Sequence, residues 1–197
     1  MNPILLFAAM AVATIAQAGI VSDVQNESKR EILSEPITYY NIKRGASFNL
    51  MLAYSEQYEQ ADTVKTWLLA FPLSVPSRSH MDKGQRLLLK FEDGSIREYH
   101  LHQDLTPEDF HYTYTCGLVT YHFTPYYDIS EEDLLYISSH KIVKLRIEAY
   151  WNTQGYLELS EGAHLKVWSP SDAIRLSYKA IKDRLSSQPN NSIYNNF

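Results

Sequence analysis

The spacing in this chain that comes nearest to a reactive site is Glu98-x-His100-x-His102. Alternate residues of a β-strand share a face, so one carboxylate and two imidazoles fall on the same side. Such a set can ligate zinc or iron, and an open position on the metal would hold and acidify a water. Three ligands from one strand do not surround an ion, so a fourth from elsewhere is expected, with His111 and His122 as candidates. This is the metal-dependent-enzyme reading. It rests on an H-x-H pair, which is a weak motif, and the leading expectation is a protein without a cofactor.

Aromatic residues offer a different kind of site. Fifteen tyrosines and three tryptophans cluster locally at Tyr39-Tyr40, Tyr112/Tyr114, Tyr126-Tyr127 and Tyr150-Trp151. Exposed rings stack on sugars or anchor protein partners. Tyr150-Trp151, beside the Asn152–Gly155 turn, is the candidate binding pair for a protein or carbohydrate partner. The competing explanation is that Tyr and Trp are good strand residues and half-bury.

Other chemistry has little support. The chain has no G-x-S-x-G elbow, no H-E-x-x-H and no glycine-rich phosphate loop. Glu131-Glu132 belongs to a helix start, where the dipole favours acidic residues. A net charge of −5 lacks the basic footprint of nucleic-acid binding. Cys116 is the single cysteine, so no intramolecular disulfide forms, and its TYTCGLVTY context predicts a small buried hydrophobe.

These residues are positioned by a chain that opens with a leader-like stretch. Ile4–Ile15 is almost wholly apolar, and Ala16-Gln17-Ala18 matches a signal-peptidase site, so residues 1–18 read as a signal peptide. Export with one unpaired thiol fits a periplasmic or extracellular protein of the bacterial cell envelope. No later run is long and apolar enough to span a membrane. Residues 19–36 are polar and without clear period, and read as an N-terminal arm or a short helical turn. Residues 37–187 read as a single β-rich domain, and 188–197 as a flexible tail.

Within that domain the strongest local signal is Lys83–Gln103, two strand-like runs about Asp93-Gly94. A turn centred on that dipeptide sets Phe91 opposite Ile96, Leu89 opposite Glu98 and Leu87 opposite His100. Glu98, His100 and His102 then share the face of Leu87, Leu89 and Phe91, and a one-residue change of loop reverses this. Tyr112–Thr124 reads as one long strand with a bulge at Gly117. Ser130 caps a short acidic helix over Ile129–Ser138. Lys141–Tyr150 returns to strand. Pro170 begins a C-terminal helix with Ile174, Tyr178, Ile181 and Leu185 in one stripe. Short strands without regular strand–helix alternation predict a mainly β, antiparallel β-sandwich with a short linking helix and a C-terminal amphipathic helix. An open α+β sheet is the alternative.

Two phrases, GQRLLLKFEDGS and YYDISEEDLLYISSHKIVKLRIEA, resemble recurrent sequences of uncharacterised secreted β-rich proteins from Bacteroides-like bacteria. The resemblance covers residues 83–150. It implies an envelope location and a β fold, and supplies no catalytic residues. The expectation is therefore a non-enzymatic secreted or envelope protein that binds a protein or glycan partner, with the metal-dependent enzyme second.

Overall fold

The computed structural model describes residues 19–41, 46–59, 62–75, 81–106, 109, 111–148, 156–160 and 170–187. Over these residues the fold is mainly β, with antiparallel pairing throughout and two helices, a sandwich-like arrangement as expected.

The larger sheet is organised by one long strand, β4 (Ala46–Tyr58). Its second half pairs with β2 (Lys29–Ser34), which is flanked by β1 (Ile20–Gln25). On its other side that half pairs with β5 (Thr63–Ala70), followed by β11 (Tyr126–Ile129). The first half of β4 pairs with β3 (Ile37–Asn41) and touches β6 (Leu73–Val75). From β6 the sheet continues through β10 (Leu118–Phe123) to β9 (His111–Thr115). The smaller sheet runs in the order β13 (Tyr156–Ser160), β12 (Ile142–Glu148), β7 (Arg86–Phe91) and β8 (Ile96–His100).

Alternation explains which faces are dry. Along β4, Leu50, Leu52 and Tyr54 are buried, and Trp67 and Leu69 join them from β5. Leu87, Leu89 and Phe91 of β7 meet Leu145 and Ile147 of β12 in the same core. On β12 the register shifts between Ile142 and Lys144, and Ile142 is buried with Leu145 and Ile147 despite its odd spacing.

Helix α1 (Glu131–Ser139) begins where its capping residue predicts. The Ser130 hydroxyl accepts from the Asp133 N–H at 3.0 Å, the first turn is acidic, and Leu134 and Ile137 face inward. Helix α2 (Pro170–Ser186) buries Ala173, Ile174, Ser177 and Ile181, with Tyr178 and Leu185 packed against the core. Tyr178 lies 5.2 Å from Trp67, which lies 4.5 Å from Tyr54, so α2 is seated on β4 and β5 through a run of aromatic rings.

Residues 19–36 form β1 and β2 rather than an arm. The hairpin was hidden because the core face of β2 carries Arg30 and Ser34 beside Ile32, so no apolar period marks it. Both polar groups find partners outside β2. Arg30 makes a bidentate contact to Asp23, at 3.1 and 3.0 Å, and Arg184 of α2 donates to the same carboxylate at 2.6 Å. The Ser34 hydroxyl accepts from the Leu52 N–H at 2.9 Å, just past the Leu33–Ala53 pair.

Candidate functional site

The β7–β8 hairpin settles where the E-x-H-x-H residues lie. Gly94 N–H donates to the Phe91 carbonyl at 3.0 Å, and Phe91 N–H donates to the Ser95 carbonyl at 2.9 Å. Glu92, Asp93 and Gly94 therefore make a three-residue loop, with Gly94 at φ +87° in the position that favours glycine. Leu87 pairs with Tyr99, and Leu88 with Glu98. This is one residue away from the register expected above, and it inverts the faces. Arg97 and Tyr99 share the side of Leu87, Leu89 and Phe91, while Ile96, Glu98 and His100 are exposed on the outer side.

That outer side is a lattice of ion pairs. Arg86 donates to Glu98 at 3.0 Å and to Glu148 at 2.9 and 2.7 Å. Arg146 and Lys144 share Glu158, and the Arg146 guanidinium lies 4.3 Å from the Tyr156 ring centre. Arg86 holds the Glu148 carboxyl below the usual range, and Arg146 does the same to Glu158. His100 lies 3.7 Å from Glu98 on the same face. His102 lies past the strand, where its Nδ1 is 2.7 Å from an Asp128 carboxylate oxygen and its backbone N–H donates to the Tyr126 carbonyl. Glu98 thus serves Arg86, and His102 serves Asp128. Among the described residues no group of three or more His, Cys, Asp or Glu side chains converges. Tyr150 and Trp151 lie outside the described residues.

His111 and His122 sit elsewhere, opposite each other on β9 and β10. His122 Nδ1 is 2.9 Å from the Ser74 hydroxyl and Nε2 is 2.9 Å from the Thr113 hydroxyl. The ring therefore clamps the β9–β10 hairpin to β6, using both nitrogens.

Tyr112–Thr124 is two strands, not one. Cys116 and Gly117 both have positive φ, 52° and 81°, and form a two-residue turn between β9 and β10. Cys116 is exposed at that turn rather than buried. All five residues of β9 are exposed. Tyr112 and Tyr114 are each 69% exposed, and Val119 lies opposite Tyr114 on β10. Tyr121, opposite Tyr112, packs with its ring centre 6.5 Å from that of Tyr112. The result is a projecting hairpin with three tyrosines and a valine on one face. The aromatic cluster at Tyr112/Tyr114 was visible in the sequence. The turn that presents it was not, because cysteine is an unusual occupant of a positive-φ position.

Beside the hairpin, two grooves meet at Gln103 and Tyr126. One, of 280 Å³, reaches His111, His122 and Asp109. The other, of 310 Å³, runs over Val24, Leu33, Ala53 and Leu68 on the face of the larger sheet opposite its buried residues. Burial pushes the Tyr126 hydroxyl pKa up between them.

Comparison with family models, curated proteins and solved structures returned no match for this chain.

Proposed function

We propose that this chain is a non-enzymatic, exported protein that binds a protein partner through the tyrosine face of the β9–β10 hairpin. The observation that carries the reading is the 69% exposure of both Tyr112 and Tyr114 on a strand whose backbone is held in place. Large rings left in water on an ordered strand lose little conformational freedom when they are covered, which is why tyrosine anchors interfaces. The rings stand open to solvent, which suits a protein surface better than a sugar ring seeking a cleft. Export is supported by the apolar Ile4–Ile15 run and the Ala16-Gln17-Ala18 pattern that follows it.

The test replaces Tyr114 with a photo-crosslinking phenylalanine analogue in the producing cell. A discrete protein adduct is expected, and Tyr112→Ala in the same chain should reduce it at least about tenfold, the loss of one interface hot spot. No adduct, or an adduct indifferent to Tyr112→Ala, refutes the reading. A glycan-array signal lost in Tyr112→Ala/Tyr114→Ala would reassign the same face to carbohydrate.

A further inference from the structure

The outer edge of β9 is built for strand addition, and we infer that it pairs with the β9 edge of a second copy of this chain. The inference rests on the hairpin being a contact surface and names one partner for its backbone edge. β9 ends the larger sheet, and among the described residues no strand pairs with its outer side. Natural sheets guard such edges with charge, proline or bulges. Three of the other outer strands show these devices, while β3, paired only with β4, shares with β9 the absence of charge and proline. β1 carries Asp23 and a register shift between Ile20 and Ser22, β8 carries Arg97 and Glu98, and β13 carries Glu158. β9 reads His111-Tyr112-Thr113-Tyr114-Thr115 and has no Asp, Glu, Lys, Arg or proline.

The backbone specifies which groups are free. A two-residue turn makes Thr115 and Leu118 the hydrogen-bonded closing pair, so Thr113 and His111 also bond to β10. The N–H and C=O groups of Tyr112 and Tyr114 therefore point outward. An antiparallel partner strand with Thr113 opposite its own copy sets Tyr112 opposite the partner's Tyr114. Each outward N–H of one strand then meets an outward C=O of the other, and the Tyr–Thr–Tyr sequence repeats itself under the two-fold. Tyrosines face tyrosines across the junction, a favourable cross-strand pairing. The contact is self-complementary in backbone and in side chains, which is why the occupant is a second copy rather than an unrelated strand.

Cys116, exposed at the turn and the single cysteine, supplies a label without substitution. In this arrangement it lies three residues from the two-fold, so the two Cys116 positions are separated by about six strand steps, or about 20 Å. The purified protein is expected to show a concentration-dependent mass doubling by sedimentation equilibrium. A nitroxide on Cys116 should report a pair distance in the range of about 20–30 Å once the label arms are included. Tyr114→Pro removes an outward N–H without touching the β10 ladder, and should abolish both signals. Should that variant fail to fold, Tyr112→Lys/Tyr114→Lys places cations along the edge and should do the same. A wild-type protein that stays monomeric at every concentration, or a dimer unaffected by the lysine pair, overturns the inference. Monomeric protein whose Tyr114 crosslink to another protein persists would sink the dimer while leaving the proposed function standing.

Discussion

Tyr99 and His100 are neighbours in sequence and opposites in environment, which makes them a sharp test of the hairpin register. Tyr99 is 4% exposed among core residues, whereas the His100 side chain is 60% exposed and lies 3.7 Å from Glu98. Truncating a buried aromatic residue to alanine costs about 3–5 kcal/mol. The Tyr99 hydroxyl is buried without a hydrogen bond, and burial pushes its pKa upward, so losing it returns part of that cost. Tyr99→Ala is therefore expected to destabilise by about 3 kcal/mol, at the low end of the range. Tyr99→Phe should be near neutral or stabilising, because it removes only the desolvated group. His100→Ala should fall within about 0.5 kcal/mol of wild type, as for other solvent-exposed substitutions. Urea unfolding followed by circular dichroism separates these outcomes. With a slope of about 2 kcal/mol/M, Tyr99→Ala shifts the midpoint by about 1.5 M and His100→Ala by less than about 0.3 M. The register with His100 inside demands the reverse order, and finding His100→Ala the more damaging change would refute the three-residue loop.

Asp23→Asn leaves the Arg30 guanidinium, whose side chain is 8% exposed, without its carboxylate, and should cost about 3 kcal/mol at pH 7 by thermal or urea unfolding. Arg30 lowers the Asp23 pKa from its ordinary 3.8, so the folded state binds fewer protons than the unfolded one as pH falls through that window. The wild-type advantage over Asp23→Asn should thus be constant down to about pH 4 and shrink below it, and a gap that widens in acid is the contrary result. Gly94→Ala meets nothing within 4 Å but keeps φ at +87°, so its cost is conformational alone, about 1 kcal/mol in the same unfolding assay. A loss several times larger would show that the loop is packed rather than merely strained.

What could be read from the sequence was what is decided locally. Ser130 followed by three acidic residues, and Pro170 followed by an apolar stripe, lead to helices because capping, dipole and periodicity act within one or two turns. The β7–β8 register could not be read, because Asp93-Gly94 suits either a two- or a three-residue loop. The choice turns on whether the Ser95 carbonyl accepts from Phe91. The β1–β2 hairpin was obscured for a different reason. Arg30 is tolerable on a core face because Asp23 of β1 neutralises it and the Arg184 carbonyl of α2, 154 residues later, accepts a further hydrogen bond from it. That arrangement exists only after α2 has docked.

The same comparison bears on function. Residue types that suggest chemistry are largely engaged by the fold, with Glu98 paired to Arg86, His102 to Asp128, and His122 held between Ser74 and Thr113. Each such pairing fixes a ligand atom in a structural role, and a group so held is released for catalysis only at the cost of that contact. The tyrosines divide differently. Tyr54, Tyr99 and Tyr127 are core residues, and Tyr178 bridges α2 to Trp67. Tyr112 and Tyr114 instead stand in water on a strand anchored by His122, and the strand's outward backbone groups have no partner strand among the described residues. Stability alone does not account for an ordered, uncharged, aromatic edge, since an unguarded edge is a hazard in solution. A contact that covers it removes both the hazard and the exposed rings, and that is the physical case for the binding role proposed above.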